Sequence, residues 1–141
     1  MRRFDWVEHP SDVGFRAYGR TISEAFENAA LALFEIMVDT SSVRGEVERT
    51  ITVKAEDLEA LLYDWLDRLI AIHDSEGLVF SEFKVEISEV ADGFLLTAKA
   101  RGEKFDPNRH PGRTSVKAMT YHMMEIGKKN GEWFVQAVVD I

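Results

Sequence analysis

Apolar residues recur along this chain with two different periods, and the switches between them limit the folds open to it. In two stretches the spacing is helical; elsewhere it alternates. The first helical stretch follows Thr21-Ile22-Ser23-Glu24, a capping box in which Thr21 accepts from a first-turn amide and Glu24 reaches back. Ile22, Ala25, Phe26, Ala29, Leu33 and Met37 then share one face, and the turn-prone Asp39-Thr40-Ser41-Ser42 predicts an end near Val38. The acidic first turn suits the helix dipole. The second stretch opens near Glu56-Asp57, with Asp57 as N-cap. Leu58, Leu61, Leu62, Trp65, Leu66, Leu69 and Ile70 make one wide apolar face. This helix is predicted to stop around Ile72-His73, with Asp74-Ser75-Glu76-Gly77 as a loop in which Gly77 takes a positive φ.

The alternating remainder reads as strands. Val47, Ile51 and Val53 share a face, as do Phe83, Val85 and Ile87. Ala91-Asp92-Gly93 is a hairpin turn into Phe94, Leu96, Ala98 and Ala100. Val116 to Ile126 alternates as a strand, Asn130-Gly131 marks a tight hairpin, and Glu132 to Val139 closes the chain as a strand. Between the strands lies a loop from Gly102 to Thr114, containing Asp106-Pro107-Asn108-Arg109-His110-Pro111-Gly112, long enough to suggest function. No repeat or linker divides residues 1–141. The expected fold is α+β: a single domain with two amphipathic helices packed on a largely antiparallel or mixed β-sheet.

Charge and composition narrow the function. Lys and Arg number 17 against 25 Asp and Glu, a net charge of −8, with 45% hydrophobic residues. That is a globular composition. The negative charge argues against direct tight nucleic-acid binding, which depends on neutralising phosphates. The absence of cysteine removes disulfides and thiolate metal sites. No apolar run reaches the roughly 18 residues of a membrane helix, and the N-terminus does not read as a signal peptide. A cytoplasmic protein without membrane contact is expected.

Three places carry candidate chemistry. Glu8-His9-Pro10-Ser11-Asp12-Val13-Gly14 gathers two carboxylates and an imidazole. It reads either as a metal or acid–base site or as a turn in which Ser11 and Asp12 cap local amides. The last dipeptide, Asp140-Ile141, follows an apolar strand, so its carboxylates are expected at the edge of the fold. Adjacent carboxylates repel unless protons or a cation neutralise them. With Asp12 added, the set is all oxygen, suited to a divalent cation such as Ca²⁺ or Mg²⁺/Mn²⁺; without Asp12, Asp140 reads as solvated. The Arg109-His110 tip reads either as a dock for a phosphate or an acidic partner, or as a solvated loop. His9 and Lys117 are further candidates; His122 reads equally as a half-buried structural histidine or a ligand, and His73 as a partner of a helix C-terminus. No phosphate-binding glycine motif, zinc-protease motif or nucleophile elbow is present.

Several of these segments together resemble the archease family. Glu8-His9-Pro10-Ser11-Asp12-Val13-Gly14-Phe15-Arg16-Ala17-Tyr18-Gly19 is similar to its N-terminal signature. The likeness continues through Glu24 to Phe34, Asp57 to Leu66, His73 to Phe80 and Val116 to His122, and ends at Asp140-Ile141. The resemblance implies a protein cofactor, not an enzyme, that assists an RtcB-type tRNA-splicing RNA ligase. It implies help with the metal- and GTP-dependent guanylylation of that ligase and with its multiple turnover. It assigns metal ligands to Asp12, Asp140 and the Ile141 main-chain carboxylate, and a partner-facing role to Arg109 beside His110. Two departures stand out: Pro10-Ser11 where the signature often has Thr-Ala, and Arg109 where lysine is common. Arginine keeps the charge but presents a planar fork. Two rival functions remain: a general chaperone or adaptor for nucleic-acid-processing enzymes, and, more weakly, an independent small-molecule enzyme.

Overall fold

The structure, a computed structural model, describes residues 2–9 and 12–141, without the side chains of Glu8 and His9. Among the described residues the α-helices and strands follow in the order β1 (Phe4–His9), β2 (Asp12–Gly19), α1 (Ile22–Met37), β3 (Val47–Ala55), α2 (Leu58–Glu76), β4 (Leu78–Val90), β5 (Gly93–Lys104), β6 (Ala118–Met119), β7 (Glu125–Lys129) and β8 (Glu132–Asp140). A single 3₁₀ turn spans Thr40–Ser42. The fold is α+β with antiparallel pairing throughout the described strands.

The strands divide between two sheets. One runs β1-β2-β8, with β6 and β7 sharing the far edge of β8; the other runs β3-β5-β4. Helix α1 explains the division. Ala25, Phe26, Ala29, Ala30, Leu31, Ala32, Leu33, Phe34, Ile36 and Met37 are all buried, which covers every side of the helix. A helix apolar all round needs a layer on each flank. It packs on β2 and β8 on one side and on β4 on the other. Glu27 completes that contact by accepting the Val85 amide of β4 at 2.8 Å, while its burial raises the carboxyl pKa. Helix α2 is one-sided, burying Leu61, Leu62, Trp65, Leu66, Leu69 and Ile70. Its Trp65 Nε1 donates to the Phe26 carbonyl at 3.0 Å and ties the helices together.

The local signals hold where they are local. Thr21 accepts from the Glu24 amide and Glu24 reaches back to the Arg20 amide, while Val38 closes α1. Asp57 caps α2 through the Ala60 amide. Asn130 and Gly131 adopt φ of 55° and 77°, the pair of left-handed residues that a tight hairpin needs.

Three expectations require correction. Helix α2 continues through Asp74-Ser75-Glu76 and stops at left-handed Gly77 (φ 70°), with Glu76 held by Arg49 of β3 at 2.7 Å. The long loop begins at Phe105, because β5 runs on to Lys104 beside the start of β4. There the register shifts between Phe80 and Glu82, and a Cβ on Gly102 would collide with the Val79 carbonyl. The strand expected from Val116 to Ile126 is broken. Only Ala118–Met119 and Glu125–Lys129 pair with β8, and the chain between them turns outward with Met123 at φ 54°.

Candidate metal centre

Pairing of β2 with β8 is what assembles the site. The register sets Asp12 directly opposite Asp140, and Ala118 of β6 opposite Asp140 from the other side. Directly opposed residues on one face of an antiparallel pair hold their Cβ atoms about 5 Å apart. The two carboxyl groups reach hydrogen-bonding distance, and the Asp140 pKa is raised by that hydrogen bond, then by burial and then by the Asp12 charge, against a smaller opposing pull from Lys117. The backbone of Lys117 is fixed here as well, its amide donating to the Asp140 carbonyl at 2.9 Å. Ile141 packs its half-buried side chain against the core, which anchors the end of β8. The donor chemistry is therefore two side-chain carboxylates held together against their repulsion, at the end of a sheet. Among the described residues no three His, Asp or Glu side chains converge, so a cation here would need a further oxygen from the main chain or solvent. The side chain of His9, and Pro10 and Ser11 with the turn expected there, lie outside the described residues.

Arg109 and His110 belong to a different cluster, centred on Glu103. This carboxylate accepts from the Arg44 amide at 2.7 Å, from the Arg109 guanidinium and from His110 Nε2 at 3.0 Å. His110 Nδ1 accepts the Asp106 amide at 2.8 Å, so the neutral ring carries its proton on Nε2. Principally the Arg109 hydrogen bond holds the Glu103 pKa down to about 2, against the opposing effect of burial. Arg109 also donates to the Ser42 carbonyl at 3.3 Å. His110 is fully buried and presents no surface, whereas Arg109 is 35% exposed. The following residues fasten the loop to the end of α1: the Arg113 and Thr114 amides donate to the Met37 and Ile36 carbonyls at 3.0 and 2.9 Å.

Sequence reasoning missed Glu103, whose partners are brought to it by the chain after the 3₁₀ turn and by a loop folding back. It placed the remaining histidines partly. His73 lies in the last turn of α2 with Nδ1 2.8 Å from the Leu78 carbonyl, and His122 is exposed on the turn after β6.

The geometry can now be set beside known proteins. The profile of the Archease protein family (MTH1598/TM1083) matches residues 4–141. Protein archease of Sulfurisphaera tokodaii is 50% identical over 141 residues, and that of Pyrococcus furiosus 48% over 142, each aligned over the whole of both chains. Protein 1598 of Methanobacterium thermoautotrophicum, solved in solution, superposes with a TM-score of 0.90 at 47% identity over the whole of both chains. An archease from Thermotoga maritima, described as a possible chaperone, shares the fold alone, with a TM-score of 0.62 at 20% identity over 100% of this chain and 98% of that one. This chain belongs to the archease family.

Proposed function

We propose that this archease is a non-catalytic, cytoplasmic protein cofactor of an RtcB-type RNA ligase, promoting the ligase's GTP-dependent guanylylation and multiple turnover in tRNA splicing. The observation that carries the reading is Asp12 set opposite Asp140 at a sheet end. Those two carboxylates, with the Ile141 main-chain carboxylate, would hold a divalent cation, Ca²⁺ or Mg²⁺/Mn²⁺. Such a cation, when bound, supplies positive charge for phosphoryl oxygens. Lys117 moderates the site's negative charge. Arg109 is the partner-facing residue of the long loop, with Glu103 fixing its fork and buried His110 setting the loop's shape. The net charge of −8 suits a protein that visits an RNA enzyme without competing for its RNA. No described helix is long and apolar enough to cross a membrane.

The test is ligase guanylylation and RNA joining with RNA in excess, with and without this protein. Substoichiometric stimulation, lost in Asp12→Ala, is expected. Stimulation that survives Asp12→Ala contradicts a role for the carboxylate pair. A general chaperone or adaptor role is the second reading, favoured by the description of the Thermotoga maritima protein. Suppression of light scattering from unrelated clients would select it.

A further inference from the structure

The turn between β6 and β7 does more than interrupt a strand. Among the described residues the exposed large apolar side chains are Trp6, Tyr121 and Met123, and two of these three sit on this turn, at 58% and 47% exposure. Tyr121 stacks one face on Tyr63 of α2, with ring centroids 4.3 Å apart and planes 10° from parallel. Its other face is left to solvent.

The backbone beneath is firmly set. Thr120 Oγ1 donates to the Val138 carbonyl at 2.8 Å and accepts the His122 amide at 3.2 Å, and the Met124 amide donates to the Tyr121 carbonyl at 3.2 Å. Gln136 Nε2 donates to the Met123 carbonyl at 2.9 Å, and Gln136 is itself buried and held by Arg16. These contacts impose φ 54° on Met123, a conformation that favours glycine. Stability alone asks for glycine there, and the stack on Tyr63 accounts for only one face of Tyr121. Strain that the surroundings enforce, carrying an exposed apolar side chain, points to use of that side chain.

The rim supplies the character of the partner. Burial first, then Asp64 of α2, Tyr63 and the α2 cap Asp57, raise the Tyr121 pKa, and both aspartates are exposed. An acidic rim on a chain of net charge −8 repels nucleic acid and complements a basic protein surface. Methionine and tyrosine are enriched in protein interfaces. Tyr121 is three residues beyond Ala118, which pairs with Asp140, so its backbone lies within about 10 Å of Ala118 at ~3.3 Å per residue of full extension.

We propose that Tyr121 and Met123 form a preorganised docking knob for a protein that offers an apolar socket rimmed by basic side chains. The ligase of the preceding section, which must carry basic surface to hold RNA, owns that socket; in this the inference rests on that reading.

The test measures binding of the full chain to the ligase at low and high salt, for wild type, Met123→Gly and Tyr121→Ser, beside each variant's melting temperature. Met123→Gly is expected to melt within roughly a few degrees of wild type, since glycine suits the backbone there. Both variants should bind at least about tenfold more weakly, as loss of an interface anchor does, and wild-type affinity should fall as salt rises. Folded variants that bind as tightly as wild type overturn the knob alone. Wild type that fails to bind overturns the ligase reading and this partner with it. Binding of a labelled single-stranded RNA that is lost in Tyr121→Ser also overturns the proposal, by making the surface an RNA site.

Discussion

Two clusters in this protein are built from similar side chains and solve opposite problems. Around Glu103 one buried carboxylate has a guanidinium, an imidazole and a backbone amide directed at it, and its charge is fully answered. At the end of β2 and β8, two carboxylates face one another, with Asp140 pushed towards its protonated form. The first is what a fold does with a charge that it needs for structure. The second brings like charges together, which is the ground for proposing a cation there. The first carboxylate holds a loop by accepting from its neighbours; the second cluster brings two negative side chains together at a sheet end.

The largest effect should come from breaking the satisfied cluster. Glu103→Ala leaves His110 and the Arg44 amide without their acceptor, and denaturant unfolding should show a loss of about 3 kcal/mol. Cation binding should be untouched, and a large change in it would break the separation between the clusters. Next is the Asp12–Asp140 pair. A divalent cation at about 100 times its Kd should stabilise the wild type by about 2.7 kcal/mol, and thermal melts of Asp12→Ala should show none of that gain.

A pH series sharpens the contrast. The Glu103 pKa is depressed from 4.5 to about 2 on folding, so its stabilisation is complete above pH 4.5 and is lost as pH falls towards about 2. This group contributes a slope of at most ~1.4 kcal/mol per pH unit in that window. Denaturation midpoints of Glu103→Gln should lack it. The smallest effect belongs to a carboxylate that is paired yet exposed. Glu76 meets Arg49 at 2.7 Å with both side chains 40% exposed, so Glu76→Gln should scarcely move the melting temperature. A large drop there would show that pairing, and not burial, makes the Glu103 cluster strong.

The two clusters were unequally legible in the sequence, for a physical reason. Features set by near neighbours were readable: the Thr21-Glu24 cap, the Asp57 cap and the Asn130-Gly131 hairpin depend on a few consecutive residues. The adjacency of Asp12 and Asp140 depends on pairing the second strand with the last, and spacing contains no trace of it; only the family resemblance linked them. Glu103 was invisible because its partners come from a loop folding back and from the chain after the 3₁₀ turn. The break at Tyr121 was hidden by an alternation that continues through Val116 to Ile126, while Gln136 of another strand holds the turn. The polar run Asp74-Ser75-Glu76 looked like a loop, but Arg49 and the stop at Gly77 extend the helix through it. Two sheets instead of one follow from a helix that is apolar on all sides, a consequence of Ala25, Ala29, Ala30 and Ala32 that a single-face count overlooks.

Calorimetric titration tests the divalent cation proposed at the Asp12–Asp140 pair. Ca²⁺, Mg²⁺ and Mn²⁺ would be titrated separately into the full chain and into Asp12→Ala at neutral pH. One site per chain is expected for at least one of these ions, abolished in the variant. Titrations without binding heat for all three ions, or binding that persists unchanged in Asp12→Ala, would contradict it.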